Sequence, residues 1–205
     1  MLPAAPRPWL GTVAALAALV VVVLGVRYAD HHQPGAADAW IRSAVVGARP
    51  GWQSVALDLD AMGEPFGAVT LVVAVMLGCL LLRRPRAALL TAAGTGLAVV
   101  TTSLLKHVVG RTINGDNLSY PSGHTAFATA LALAVALLAA ERLGRLTGTL
   151  LVLAAALVAG AAMGWAQVSL DAHYPTDVLG GWCCALAVVP ATAWLVDRAA
   201  DISRR

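Results

Sequence analysis

The sequence predicts an all-α membrane protein, and two observations support that prediction. Hydrophobic residues make up 59% of the 205-residue chain and charged residues 12%, roughly half the charged share of ordinary globular domains. The hydrophobic residues fall in six uncharged runs of about 20 residues, the length that a helix needs to cross a bilayer. These runs do not alternate as barrel strands do. We therefore expect one integral membrane domain, residues 1–205, with six transmembrane helices.

The first three spans end at charged or turn-forming residues. Trp9–Val26 is an uncharged run that stops at Arg27. Phe66–Leu82 begins after a proline and ends at a pair of arginines. Ala87–Leu105 is the next such run and continues to Lys106, whose long side chain can reach the interface from a helix end. Each run can cross a hydrocarbon layer about 30 Å thick.

The last three spans follow the same rule. The fourth runs from about Ser122 to Ala140, and serine is a favoured residue at helix N-caps. The fifth, Leu146–Leu170, is long enough to tilt or to project from the bilayer. The sixth, Val178–Val196, contains Pro190, which we expect to kink the helix rather than end it.

A longer polar segment, Arg27–Pro65, separates the first two spans. Four of its apolar residues recur at helical spacing, and two aspartates fall elsewhere around the same helix. These residues are Trp52, Val55, Leu59 and Met62, against Asp58 and Asp60. The pattern predicts an amphipathic helix along the outer membrane surface. A cap packed over the bundle explains it equally well.

The charge distribution predicts the orientation of the chain. With both termini inside, the inner segments hold nine basic and three acidic residues, and the outer segments five basic and eight acidic. The inner basic residues are Arg7, Arg83, Arg84, Arg86, Arg142, Arg145, Arg198, Arg204 and Arg205, and the outer ones are Arg27, Arg42, Arg49, Lys106 and Arg111. An excess of Lys and Arg marks the cytoplasmic side, so we expect cytoplasmic termini.

The composition also bears on partners and location. The net charge is +3 and is spread along the chain, which argues against a nucleic-acid partner. The abundance of Ala, Val and Arg is typical of a bacterium with a GC-rich genome. We therefore expect a multi-pass protein of the bacterial plasma (inner) membrane, with the lipid bilayer as its surroundings.

Three polar patches fall at helix ends on the predicted outer side, where the burial of polar groups needs a reason. The patches are Lys106–Arg111, Pro121–His124 and Asp171–Asp177. If Ser122 caps the fourth span, the amides of Gly123 and His124 point outward, and such a helix start favours phosphate. Lys106 and Arg111 can add positive charge to the same pocket.

The third patch offers a nucleophile. His173 and Asp177 are four residues apart and can share one face of a helix. A carboxylate bonded to one imidazole nitrogen leaves the other free to attack, and His124 can protonate a leaving oxygen. Taken singly, a His and Asp pair is more often structural or half of a metal site. The three patches together predict a site that handles phosphate.

These residues resemble the type 2 phosphatidic acid phosphatase family, whose fold is shared with vanadium haloperoxidases. That family has three motifs, KxxxxxxRP, PSGH and SRxxxxxHxxxD. PSGH is complete at Pro121–His124, and the HxxxD of the third motif matches His173 and Asp177. The resemblance is strongest over residues 66–196, and it implies a helical bundle of the phosphatase and haloperoxidase type.

The resemblance also implies a role for each matching residue. His173 would be the nucleophile that forms a phosphohistidine, Asp177 would orient it, and His124 would protonate the departing alcohol. The phosphate oxygens would be held by Lys106, Ser122 and Gly123. The resemblance implies neither a metal nor another cofactor, and it implies a membrane lipid phosphate as the substrate.

Two motif arginines are missing. Ile113-Asn114 stands where the first motif has Arg-Pro, and Ala166-Gln167 stands where the third has Ser-Arg. We expect Arg111 to compensate in part, and Gln167 to donate neutral hydrogen bonds, which are about half as strong as charge-assisted ones. Loss of one donor to a developing anion can cost ~10²–10³ in rate.

The expected function is the metal-independent removal of a terminal phosphate from a lipid at the outer membrane face. Candidate substrates are polyprenyl phosphate or diphosphate, prenyl-linked sugar phosphate, phosphatidylglycerol phosphate and phosphatidic acid. Two alternatives stay open. One is a phosphotransferase with the same intermediate, and the other is a non-catalytic lipid-phosphate-binding protein, which the missing arginines favour.

Overall fold

The computed structural model describes residues 7–46 and 50–202, and this part of the chain is helical almost throughout. The elements in chain order are α1 (Arg7–Arg27), α2 (Ala36–Val45), α3 (Pro50–Gly63), α4 (Pro65–Leu81), α5 (Pro85–Val109), β1 (Thr112–Ile113), β2 (Asn117–Leu118), α6 (Gly123–Ala140), α7 (Arg145–Ser169) and α8 (Pro175–Ile202). Arg49, Arg204 and Arg205, which enter the predicted charge balance, lie outside the described residues.

Every predicted span is helical in the structure. The helices α1, α5, α6, α7 and α8 are each long and apolar enough to cross a membrane. The shorter α4 joins α3 at a bend of 67°, and the two pass the same test as a pair. The described chain therefore has five candidate spans, or six if α3 and α4 form one broken span. The last span is longer than predicted, since α8 begins at Pro175 and continues through Pro190 to Ile202.

The bundle is organised around α6, which packs against α5, α7 and α8, while α1 packs against α8 and α4 against α5. Small residues make this packing close: Ala126 and Ala130 on α6 and Ala185 on α8 are fully buried, as expected where helices associate in a membrane. A Cβ on Gly181 would lie 2.2 Å from the carbonyl oxygen of Ser122. Only a glycine there lets α8 cross so near the start of α6.

The outer surface of the bundle is apolar. On α1, for example, Leu16, Leu19 and Val22 are each more than half exposed. Apolar surface of this extent is a liability in water, whereas in a bilayer it is the surface that lipid covers.

The predicted amphipathic segment folds as two helices rather than one. The second, α3, contains the predicted apolar face and packs against α7, α4 and α6, while the shorter α2 contacts α7 and α8. The Trp52 ring meets that of Trp165 edge to face at 6.0 Å. The two helices therefore form a cap that packs on the bundle. Trp52, Val55 and Met62 of the predicted apolar face stay exposed, as the membrane-surface alternative also expects.

A β-hairpin that the sequence analysis did not predict lies between α5 and α6. Thr112 and Ile113 pair with Leu118 and Asn117 in antiparallel register, and the turn contains Asn114 at φ 50° and Gly115 at φ 92°. An Asn-Gly pair is a strong signal for such a turn. Because proline holds φ near −65°, the motif proline could not occupy position 114 in this conformation.

Candidate active site

The central pair of the site is His173, in the loop before α8, and Asp177, in the first turn of that helix. The imidazole Nδ1 lies 3.8 Å from Asp177 Oδ2, which is an ion-pair distance but too long for a hydrogen bond. Burial lowers the pKa of His173, attraction to Asp177 opposes that effect, and the charges of Lys106 and His124 lower it further. A pKa below the ordinary value of about 6.5 keeps the imidazole neutral at pH 7, and the neutral form is the one that can attack.

Asp177 is fully buried and is held on several sides. Its Oδ1 accepts a hydrogen bond of 2.6 Å from Arg111 Nη1, and its Oδ2 accepts one of 3.0 Å from the backbone N–H of Tyr174. Its backbone carbonyl accepts a bond of 2.9 Å from the N–H of Ser122. Asp177 therefore joins the His173 loop to the start of α6.

The start of α6 provides the predicted helix cap. Ser122 Oγ accepts a hydrogen bond of 3.3 Å from the N–H of Thr125, which confirms Ser122 as the N-cap. This helix start lies beside the His173 and Asp177 pair because Ser122 is bonded to Asp177. Lys106 lies in the last turn of α5, and its charge acts on His173. A helix N-terminus and a lysine are thus brought near the candidate nucleophile, an arrangement that suits phosphate.

Arg111 lies behind the site. Its side chain is fully buried, and besides Asp177 it donates from Nη2 to Asp38 Oδ2 at 2.7 Å and from Nη1 to Thr176 Oγ1 at 2.6 Å. The guanidinium lies 4.1 Å from the ring centroid of Tyr28 and 4.5 Å from that of Tyr174. Because both terminal nitrogens are bonded to protein oxygens, this geometry does not fit the expectation that Arg111 binds phosphate directly.

Gln167, which stands where the third motif has arginine, is also buried. Its Nε2 donates a hydrogen bond of 2.7 Å to Asp60 Oδ1 on α3. The same Asp60 oxygen lies 3.5 Å from His124 Nε2, and Glu64 Oε1 lies 3.6 Å from that same imidazole nitrogen. In the sequence, Asp60 falls away from the predicted apolar face of its helix and was not expected in the site. In the structure its carboxylate is turned toward His124.

Three of these side chains could hold a metal ion. Among the described residues, Asp60, Glu64 and His124 form the one group of three such side chains whose donor atoms all lie within 4.8 Å of one another. Carboxylate oxygens and imidazole nitrogen are ordinary ligands for divalent metals such as Zn²⁺. His124 could not coordinate a metal through Nε2 and donate a proton from that atom at the same time, so the two uses exclude each other.

An apolar groove of about 490 Å³ lies between α3, α4, α6 and α7. At the end nearest the polar site, the groove is lined by Leu59 and Met62, which lie close to Asp60 in the chain. Met163, whose sulfur lies 3.9 Å from Gln167 Nε2, lines the same end. On α6 it extends from Phe127 to Ala139, a length of about 18 Å at 1.5 Å per residue. The groove therefore leads from the polar site toward the opposite end of the bundle and suits a hydrocarbon chain.

Comparison with known proteins agrees with this architecture. The family model of the PAP2 superfamily matches residues 68–201. Among solved structures, the chain is similar to the first transmembrane PAP2 type phosphatidylglycerolphosphate phosphatase from Bacillus subtilis, with a TM-score of 0.73 and 23% identity over 92% of this chain and 96% of that chain. At that identity the likeness concerns the fold. No significant match is found among curated proteins.

Proposed function

Since the chain belongs to the PAP2 superfamily, we propose that it removes the terminal phosphate from a membrane lipid through a phosphohistidine formed on His173. The observation that supports this most strongly is the buried His173 beside Asp177, next to the N-terminus of α6. A neutral imidazole with one nitrogen directed at a carboxylate has its other nitrogen available for attack.

The proposed reaction has two steps. In the first, His173 Nε2 attacks phosphorus, the bond from phosphorus to the lipid oxygen breaks, and His124 gives its proton to that oxygen. In the second, His124 takes a proton from water, water oxygen attacks phosphorus, and the bond to His173 breaks to release inorganic phosphate. Lys106, Ser122 and the amide of Gly123 hold the phosphate oxygens, which gain charge in each transition state. Metal ions take no part in this mechanism.

The groove and the polar site together favour a lipid with its phosphate at the membrane surface. The hydrocarbon chain would lie along α6, and the phosphate would reach His173 beneath the cap. Polyprenyl phosphate or diphosphate, prenyl-linked sugar phosphate, phosphatidylglycerol phosphate and phosphatidic acid all meet that requirement. Asp60 and Glu64 beside His124 disfavour additional negative charge, so we infer a preference for monophosphates over diphosphates.

The site lies on the side of the bundle that the charge distribution assigns to the exterior. We therefore propose a protein of the bacterial plasma membrane with cytoplasmic termini and an active site that faces outward. Accessibility of a cysteine introduced at Asn114, in the hairpin turn, to a membrane-impermeant thiol reagent in intact cells tests this orientation.

The proposed function is tested by measuring phosphate release from a panel of lipid phosphates by the purified protein in detergent with excess chelator. The wild type is compared with His173→Ala and with His107→Ala, since His107 is an exposed histidine at the end of α5. We expect release by the wild type and His107→Ala, loss in His173→Ala, and an acid-labile phosphate trapped on His173. Activity that the chelator abolishes would instead favour a metal at Asp60, Glu64 and His124.

One alternative has an observation of its own. Gln167 in place of the motif arginine, bonded to Asp60, leaves fewer cations for phosphate than the motif provides. That favours a protein which binds lipid phosphate without hydrolysing it. Binding without phosphate release, equal in the wild type and His173→Ala, would support this alternative, whereas label transferred to a second lipid would indicate a phosphotransferase.

A further inference from the structure

We propose that Asp38, on the outer helix α2, is a positioning residue that acts through Arg111 on Asp177 and so orients His173. The inference rests on the proposed function, in which His173 is the nucleophile. It assigns to the cap a role in the reaction that none of the three motifs includes, because α2 lies outside all of them.

Three charges are buried together under His173. Asp38, Arg111 and Asp177 each have fully buried side chains, and the guanidinium joins the two carboxylates through bonds of 2.7 Å and 2.6 Å. Burying charges is expensive unless each is paired and hydrogen-bonded. Asp38 is the only one of the three that comes from the cap, so the cap completes the pairing.

Asp38 is also bonded to the first turn of α8. Its Oδ1 accepts from the N–H of Thr176 at 2.9 Å, and its Oδ2 accepts from the Thr176 hydroxyl at 2.9 Å. Before His173 in the chain, Asp171 forms an ion pair with Arg42 of α2 through two hydrogen bonds of 2.5 Å and 2.6 Å. The helix α2 therefore holds the His173 loop both before and after the histidine.

The charge balance explains why the removal of Asp38 should affect the nucleophile. Arg111 shares its positive charge between two carboxylates and bonds only Oδ1 of Asp177, so Oδ2, which accepts from the Tyr174 N–H, also faces His173 Nδ1 at 3.8 Å. Without the charge of Asp38, the guanidinium would be balanced by Asp177 alone and would draw that carboxylate toward itself. His173 would then lose the group that orients its ring and stabilises the cation formed when it is phosphorylated.

The test compares Asp38→Asn, Arg111→Gln and the double variant with the wild type. Asp58→Asn is the matched control, because Asp58 is an exposed aspartate in the neighbouring cap helix. We expect kcat to fall about 10- to 100-fold in Asp38→Asn, by analogy with the loss of a hydrogen-bond partner behind a metal ligand. KM should change by less than about twofold, since Asp38 does not touch substrate. The double variant should lose less than the product of the two single losses.

A second measurement does not depend on turnover. In protein labelled with ¹⁵N-histidine, the two ring nitrogens of His173, assigned with His173→Ala, report the tautomer at fixed pH. We expect the Nδ1–H tautomer to predominate in the wild type and to decrease in Asp38→Asn but not in Asp58→Asn. An unchanged tautomer and an unchanged kcat in folded Asp38→Asn would overturn the positioning role. A tautomer shift in a protein that releases no phosphate would retain it while the proposed function failed.

Discussion

Gln167 donates a hydrogen bond of 2.7 Å from Nε2 to Oδ1 of Asp60, at a position where the third motif of the family has arginine. A neutral donor bonded to a carboxylate replaces a cation there. Because the same carboxylate lies 3.5 Å from His124, the wall of the site next to the candidate proton donor is acidic. This relationship distinguishes the pocket from the motif pattern.

Gln167→Arg should strengthen phosphate binding. The new guanidinium would lie beside Asp60 and could still offer charge-assisted hydrogen bonds, which are about twice as strong as neutral ones. We expect KM for a lipid monophosphate to fall about tenfold, a change of ~1.4 kcal/mol. Gln167→Glu, in which the new side chain is nearly the size of glutamine but carries a charge opposite to that of arginine, should raise KM instead. Equal effects of the two variants would show that charge at position 167 does not act on phosphate.

The pH dependence of the reaction should reflect the lowered pKa of His173. Burial is the main cause of that lowering, and His173 must be neutral to attack. Because its pKa in the folded protein lies below the ordinary value, the neutral form persists as the pH falls, and the acid limb of kcat/KM should lie below about pH 6.5. An acid limb above that value would contradict the assignment of His173 as the buried nucleophile.

Asp177→Asn should change both the rate and the position of that limb. The carboxylate raises the pKa of His173, so its removal should move the acid limb to lower pH. It also removes the group that orients the ring, a loss of about 10⁴-fold in kcat for the equivalent change in a serine protease. Profiles of kcat/KM against pH for the wild type and Asp177→Asn measure both effects. A shift of the acid limb to higher pH in Asp177→Asn would contradict the proposed interaction between Asp177 and His173.

Five of the six membrane spans could be predicted from the sequence because each one is an apolar run long enough for a helix to cross, whereas α4 passes that test only together with α3. The hairpin could not be found in the same way, since its strands have two residues each. Asn114-Gly115 is the one local signal for this turn, and it overlaps the position where the first motif has Arg-Pro. Ile113, which stands at the position of that arginine, is buried in the hairpin.

Local features of the site could be predicted where neighbouring residues form them, whereas contacts between distant residues could not. Ser122 as an N-cap depends on the next three residues, which the sequence displays. The surroundings of Arg111 depend on Tyr28 and Asp38, more than 70 residues earlier in the chain. Asp60 likewise reaches Gln167 across 107 positions. Pairings at such separations are set by helix packing, which residue spacing does not encode.

Gly63→Ala should impair the candidate proton donor without changing any charge. A Cβ at position 63 would lie 2.2 Å from Cδ2 of His124, so the imidazole would have to move. Loss of a positioned proton donor costs typically 10²–10⁴ in rate, and partial displacement should lower kcat at least tenfold. Gly78→Ala is the control, because a Cβ there meets no atom within 4 Å. Equal kcat values for the two folded variants would argue against His124 as the donor.

The apolar groove predicts that selectivity for long lipids can be altered far from the phosphate. Ala159 lines the groove on α7, whereas Ala161 on the same helix is exposed and is not part of the lining. Ala159→Leu should fill part of the groove and raise KM for long-chain lipid phosphates by about tenfold, the usual effect of a mismatched methylene in an apolar pocket. Because a short-chain, water-soluble phosphomonoester would not extend that far, its KM should stay at the wild-type value.

The control variant Ala161→Leu should leave KM for both substrates unchanged. If Ala159→Leu raised KM equally for long and short chains, the groove would not be the site of the lipid tail.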